Sequence, residues 1–394
     1  MARLVNNKFC LERSRCWNDM HRSSPKILWR KFRSYTNTQQ ESCTCHPDLQ
    51  WQHWAGQGDV TENVWTARLL APAARWNNWL RGTSLHIACE PPLSQIETEE
   101  CRKDAKSGKA AGPDGVPSDV VKNLPALSLI MHLIFNLMLC YGVYPAAWGV
   151  TLLRAILKPQ KPKDQASSLR GIRLLSSLAS WFGRILDKRT RRAWQPSSEQ
   201  FGFRNEVGCS DAIIFLIALV LSRISQKKRL YVLWVDLRTA FPSLNRPILL
   251  RKMFYCGVGL GICRMMLAIL DATTSIVCIG GLISRPFKDT LGVREGAVES
   301  PHAFNIYVSD LRAYIESAHP RLCRLLGFAV AVILYADDAA FPADSAEDLQ
   351  IAVSLFEEFC NDNHLYISVP KTFVTVFHHA ADNGVTYSGE EVFV

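Results

Sequence analysis

The sequence predicts an α+β fold, and three observations carry that reading. Residues 231–237 and 330–335 are apolar runs of strand length, the signature of buried strands, the first carrying one acid and the second lying just before two. Ser345 followed three residues later by Asp348 is a helix-opening pair. Behind it Leu349, Ala352, Val353, Phe356 and Phe359 recur at helical spacing and give one apolar face. Strands and helices therefore share the chain, with a sheet rich in antiparallel hairpins and no internal repeat.

The elements follow in order. Residues 1–95 are rich in Trp and Arg with weak periodicity, and are expected to form an N-terminal extension of helices and loops. Cys43, Cys45 and His46 lie close together there but lack the paired CxxC spacing of a zinc site, so no metal is expected. A charged helical stretch over residues 94–107 leads into a turn-rich segment, 108–115, whose glycines around Pro113-Asp114 mark a specific turn. Residues 124–141 are apolar apart from His132 and Asn136. They are too short and too interrupted to span a membrane, and a buried helix ending before Gly142 and Pro145 is expected. Then come a strand at 152–157, a Lys/Pro-rich loop at 158–164, basic helical segments within 174–193 and an apolar helix at 211–224. After the helix begun at Ser345, Asn361-Asp-Asn363 ends it, and 365–369 reads as a further strand.

A chain of 394 residues with 48% hydrophobic and 21% charged residues has the composition of two or three globular domains and not of a disordered protein. Its 13 cysteines are odd in number and scattered, which suits reduced thiols inside the cell. No signal peptide or transmembrane helix is expected, and the place is cytoplasm or nucleus. The net charge of +9 is unevenly spread. Residues 1–40 contribute nine Lys/Arg against two acids, and residues 154–192 eleven against two, so the remainder is net −7. Two basic blocks on an acidic body suit a polyanion gripped at defined places, although a charge run by itself is more often a solvated face.

The chemistry points to the acids. Asp236 ends the run Tyr231-Val-Leu-Trp-Val235, and Asp337-Asp338 interrupt an apolar run at what reads as a hairpin tip. Carboxylates embedded in apolar strands usually meet a cation, because unpaired burial is costly. If the two strands are neighbours, three carboxylates converge in an environment suited to two Mg²⁺ ions, with Mn²⁺ as the substitute. An Asp-Asp pair alone would not carry this, since most such pairs in turns are structural.

The whole set, in order, resembles the reverse transcriptases of non-LTR (LINE-type) retrotransposons. Tyr335-Ala-Asp-Asp338 is similar to their YADD motif, and the stretch from Asp236 through Phe241 to Asn245-Arg246 to their earlier palm motif. The run from Gly292-Val-Arg-Glu-Gly296 to Ser300-Pro301 resembles GVRQGxxxSP. Gly112-Pro-Asp-Gly115 matches GPDG, with Phe135-Asn136, Gly142, Pro145 and Trp148 following as expected. Ile156-Leu-Lys-Pro159 and Arg170-Gly-Ile-Arg-Leu-Leu175 resemble the family's fingers strands. Gln200-Phe-Gly-Phe-Arg204 with Asp211-Ala212, and Leu365 to Thr372, resemble two more of its segments.

The resemblance covers about residues 100–394 and implies a right-hand polymerase fold of fingers and palm, with an antiparallel palm sheet packed on helices. Fingers would occupy 96–229 and the palm 230–394. The last residues resemble the stretch just before the primer-gripping hairpin, so hairpin and thumb are expected to be missing, and no endonuclease is expected ahead of the polymerase. The implied activity is RNA-directed DNA polymerisation on an RNA template and DNA primer from deoxynucleoside triphosphates, without a membrane. By the same resemblance Asp236, Asp337 and Asp338 are metal ligands, and Lys371 protonates the departing pyrophosphate. Phe241 excludes a 2′-hydroxyl, Gly296 makes room for the nascent base pair, and Lys158 and Arg170 hold the triphosphate. Departures from the pattern are Gly171, Pro242, Glu295, Ala297-Val298 and Ser368, none of them a metal ligand. The alternative is a catalytically inactive, nucleic-acid-binding relic of a decayed element. An RNA-directed RNA polymerase or a group II intron maturase shares the acids but fits Phe241 and the spacing less well.

Overall fold

The computed structural model describes residues 90–157, 159, 169–279, 282–379 and 385–390. Among the described residues the first helix is α1 (Gln95–Lys103), opened by Ser94, which accepts the Glu97 N–H at 3.0 Å. A short α2 (Ser118–Asn123) and the apolar α3 (Leu127–Tyr141) follow. α3 stops at Gly142, which takes a left-handed φ of 63° and donates its N–H to Met138 O at 2.8 Å. The helix starts three residues later than expected, because Pro125 separates it from α2. The single turn α4 (Ala146–Gly149) leads into β1 (Val150–Leu157) and β2 (Leu169–Leu174), then α5 (Ser177–Ala193) and α6 (Cys209–Ser225).

The second half opens with β3 (Leu230–Asp236), the short α7 (Ala240–Ser243), α8 (Arg246–Tyr255) and α9 (Leu260–Ala272). Strands β4 (Thr274–Ile279), β5 (Leu282–Ile283) and β6 (Phe287–Lys288) come next, then α10 (Ser300–Tyr307) and α11 (Leu311–Ala318). The expected strand over 330–335 is divided between two hairpins. β7 (Cys323–Leu325) pairs β8 (Phe328–Val330), and β9 (Ile333–Tyr335) pairs β10 (Asp338–Ala343). The chain continues through α12 (Ala346–Asp362), β11 (Phe373–His379) and β12 (Val385–Glu390).

Two five-stranded sheets organise these elements. One runs β2-β1-β4-β5 with β6 beside β4; β1 and β4 are parallel and its other pairs antiparallel. The other, β12-β11-β3-β10-β9, is antiparallel throughout. One core runs from Phe135, Trp181 and Phe182 on the helices to Leu233 and Phe341 on the second sheet and Phe356 on α12. α12 fulfils its expected pattern, with Ser345 accepting the Asp348 N–H and all five residues of the apolar face buried.

Two expectations are corrected. Residues 365–369 form no strand. Ile367 makes only an isolated bridge to Leu237, and Val369–Lys371 wind into a 3₁₀ turn around Pro370, which has no N–H for a ladder. The apolar helix α3 is buried on one side alone. Met131, Phe135, Met138 and Leu139 face α1, α9 and the core, while Leu129 (59% exposed), Ile130, Leu133 and Leu137 face outward. A helix that is apolar all round carries no signal of which side its neighbours cover. α6 shows the same division, Leu219 inside and Ile213, Ile214, Ile217 and Leu221 outside.

On α5, part of the basic block is paired with acids. Arg189 holds Glu97 through two hydrogen bonds of 2.9 Å, Lys188 pairs with Asp104 at 2.7 Å, and Arg191 with Asp187 at 2.8 Å. On β2, Arg173 pairs with Asp289. No helix among the described residues is long and apolar enough to cross a membrane. The cysteines among them are free thiols.

Candidate functional site

The antiparallel sheet brings the expected acids to one corner. β3 and β10 pair in a register that sets Asp236 directly opposite Asp338. Tyr335 pairs with Asp338 across the β9–β10 hairpin, so Ala336-Asp337 is its two-residue loop. Residues directly opposed in an antiparallel pair lie about 4.5–5.5 Å apart at Cα. The consequence is electrostatic: burial, then the charges of Asp337 and Asp236, push the Asp338 carboxyl above its ordinary range, with Lys371 opposing them.

Lys371 brings a cation to this corner, its Nζ lying 2.7 Å from Asp236 Oδ2. It is 66% exposed and Asp236 25%, so the pair is open to exchange with solvent. A strap formed by residues 366–371 delivers it. Arg238 donates its N–H to Tyr366 O at 2.7 Å, and Ser368 donates its N–H to Asp236 O at 2.8 Å. The segment expected to be a strand is therefore the piece that fixes the end of β3 and hangs Lys371 beside Asp236.

Beyond Asp236 the chain turns through Thr239, at φ 46°, into α7. There Phe241 is half-buried, stacked on Phe304 at 5.0 Å and edge-on to Phe203 at 6.1 Å. Its carbonyl accepts the Val293 N–H at 3.0 Å, which ties α7 to the loop before α10. That loop needs two glycines for different reasons. Gly292 has φ 71°, and a Cβ there would stand 2.3 Å from Pro242 O; Gly296 has φ 86° and faces Arg173 O on β2. The structure thus gives Gly296 a backbone reason to be glycine beside the one expected of it.

The loop is held from beneath by groups that charge patterning did not single out. Arg246 donates to the carbonyls of Gly292 (2.9 Å), Asp289 (2.7 Å), Leu291 (3.1 Å) and Leu270 (2.9 Å), and burial lowers its pKa to about 10. Arg294 and Glu299 form a buried ion pair at 2.6 Å, with Tyr144 Oη accepting from Arg294 at 3.3 Å. Arg170 occupies a β2 position opposite Ile156, and Lys158 lies outside the described residues, as does the Cys43, Cys45, His46 cluster. A cavity of about 580 Å³ opens between the Gly296 loop and α5, lined in part by Lys106, Lys109, Arg173 and Lys188.

Among the described residues no group of three or more His, Cys, Asp or Glu side chains is arranged to hold a metal ion as it stands. The donor chemistry of the corner nevertheless fits a hard divalent cation: three carboxylates on adjacent backbone positions, repelling one another, with Asp236 held by a displaceable ammonium.

An acid corner on an antiparallel sheet, backed by helices, is a polymerase-like arrangement. The chain matches the family described as reverse transcriptase (RNA-dependent DNA polymerase) over residues 157–391, more than half its length, and it belongs to that family. It is 27% identical over 305 residues to a probable RNA-directed DNA polymerase from transposon BS of Drosophila melanogaster, an alignment covering 73% of this chain and 32% of the relative. It is 25% identical to the RNA-directed DNA polymerase from mobile element jockey of Drosophila funebris, covering 76% and 33%. A Pol polyprotein from the type-1 retrotransposable element R2 of Popillia japonica is 26% identical, covering 64% and 35%. The chain spans about a third of the length of these relatives.

Proposed function

We propose that this chain is the catalytic region of an RNA-directed DNA polymerase that extends a primer 3′-hydroxyl along an RNA template. The observation that carries the reading is the register that sets Asp236 opposite Asp338 with Asp337 beside it, in a chain of the reverse transcriptase family. Asp236, Asp337 and Asp338 would hold two divalent cations, Mg²⁺ or Mn²⁺. Bound there, such ions lower the pKa of the attacking hydroxyl and neutralise charge on the triphosphate.

The chain's own residues do the rest by position. Lys371, carried by its strap beside Asp236, is placed for its ammonium to give a proton to the leaving pyrophosphate, and its hold on Asp236 would yield if that carboxylate held a cation. Phe241, braced by Phe304, presents a rigid ring at the sugar position and excludes a 2′-hydroxyl. Replacing it with Ala should raise ribonucleotide incorporation relative to deoxynucleotide, and an unchanged ratio would remove it from that role. Residues 96–229 act as fingers, with Lys158 and Arg170 at the triphosphate, and residues 230–394 as palm; residues 1–95 form an extension.

Primer extension tests the reading. With an RNA template, a DNA primer, deoxynucleoside triphosphates and Mg²⁺, the chain should extend the primer, and Asp337→Asn should abolish extension. Extension that survives Asp337→Asn would contradict the assignment.

A further inference from the structure

The acid turn contains a backbone oddity. Ala336, between Tyr335 and Asp337, sits at φ 61°, a region that residues other than glycine rarely enter. Such conformations persist where the surroundings over-determine them, and here the surroundings come from a segment 136 residues away in sequence.

We infer that Gln200 is a positioning residue for the acid turn, its side-chain amide clamping the peptide groups of Ala336 and thereby setting the directions in which Asp337 and Asp338 leave the hairpin. The inference rests on the proposed metal-binding role of those two acids. Gln200 is 3% exposed. Its Oε1 accepts the Ala336 N–H at 3.0 Å, and its Nε2 lies 3.4 Å from Ala336 O. A primary amide presents a donor and an acceptor side by side, so it can engage both polar groups of one residue as a neighbouring strand would.

The clamp is itself fixed. Phe201 N–H donates to Leu334 O at 2.7 Å and Leu334 N–H to Glu199 O at 2.8 Å, which ties the Gln200 backbone to β9. Gln200 Oε1 also accepts the Gly202 N–H at 2.8 Å, and Asn305 on α10 donates to Gly202 O at 3.0 Å. Gly202 lies so close that a Cβ there would stand 2.2 Å from Ala336 N. A continuous hydrogen-bonded path therefore runs from α10 through Gly202 and Gln200 to the turn that carries the acids. A neutral side chain with two satisfied partners adds no charge to the corner, so its contribution is orientation.

Two readouts on the full chain test this. The first is residue-resolved hydrogen exchange. In Gln200→Met, which keeps the length and removes the hydrogen bonds, Ala336 N–H should exchange at least ~10-fold faster, while Ala340 and Phe341 on β10 keep their rates. The second is Mn²⁺ affinity, which should fall ~10- to 100-fold in Gln200→Met, the usual consequence of removing a group that orients a ligand. Adding Ala336→Gly to Gln200→Met should recover part of the affinity, because glycine enters φ above zero without the steric cost that alanine bears. Should Gln200→Met not fold, Gln200→Glu keeps the oxygen that accepts from Gly202 and Ala336, and Ala336 should stay slow to exchange.

Unchanged Ala336 exchange in Gln200→Met, or fast exchange in Gln200→Glu, would overturn the clamp. So would a wild-type Mn²⁺ affinity in Gln200→Met when Asp338→Asn lowers it. If Asp338→Asn leaves Mn²⁺ binding untouched, the metal reading fails instead, and Ala336 exchange still decides the clamp.

Discussion

On α5 each basic side chain named above meets an acid: Arg189 grips Glu97, Lys188 reaches Asp104, and Arg191 holds Asp187. At the end of β3 the arrangement differs, with Asp236, Asp337 and Asp338 brought close together and Asp236 paired to the mostly exposed Lys371. Both regions gather charge at the edge of the same core. In the first the charges cancel in place and fasten α1 to α5. In the second, like charges crowd on a backbone fixed by the strap, the sheet register and Gln200, and their repulsion raises the Asp338 carboxyl, as functional clusters of acids do. A cluster's net balance after pairing, more than its number of charges, separates scaffold from site.

The buried pair Arg294–Glu299 is the extreme of the matched kind, and breaking it gives the largest effect. Glu299→Ala leaves a fully buried guanidinium without its carboxylate and should cost about 3–5 kcal/mol of stability in chemical denaturation. A loss under ~1 kcal/mol would mean that Tyr144 and solvent compensate Arg294.

At the acid corner the sign reverses. Burial and two like charges raise the Asp338 pKa in the fold, so its ionised form opposes folding, and stability is lost as pH rises through that raised value. Asp338→Asn should therefore raise the melting temperature at neutral pH, by a few degrees, while primer extension falls on the order of 100-fold. A lower melting temperature would show that the three acids are compensated within the chain.

The smallest effect belongs to the α1–α5 contact. Burial alone would raise the Glu97 carboxyl, but Arg189 and then Arg192 hold it below the usual carboxylate range. Its contribution is thus present at neutral pH and lost as pH falls through the lowered value. Glu97→Gln should cost about 1–2 kcal/mol at pH 7, and the difference from wild type should vanish in acid. A difference that is constant with pH would remove the charge from the account.

Much of this contrast was legible in the sequence at one end and little of it at the other. Strands ending in Asp236 and meeting Asp337-Asp338 announce themselves, because acids inside apolar runs are rare and period and polarity conflict there. Ser345 and the α12 face were equally plain. The pairing of the basic block was hidden, since Glu97 is 92 residues from Arg189 and only the fold brings them together. The outward sides of α3 and α6 were hidden for a related reason: uniform apolarity records no direction. Residues 365–369 looked like a strand by composition, and the strap they enter is bent at Pro370. Gln200, neutral and buried, sits in a segment that the family resemblance singled out, yet only the Ala336 backbone shows what the amide holds.

The central proposal is that the acid corner takes divalent cations. Mn²⁺ added in substoichiometric steps to the isotopically labelled chain tests it directly, because the ion broadens amide signals near it. The account predicts that Asp236, Asp337 and Asp338 broaden first and together, that Mg²⁺ reverses the effect, and that Asp338→Asn weakens it at all three. Broadening centred on other acids, with these three amides unaffected at saturating Mn²⁺, would contradict it.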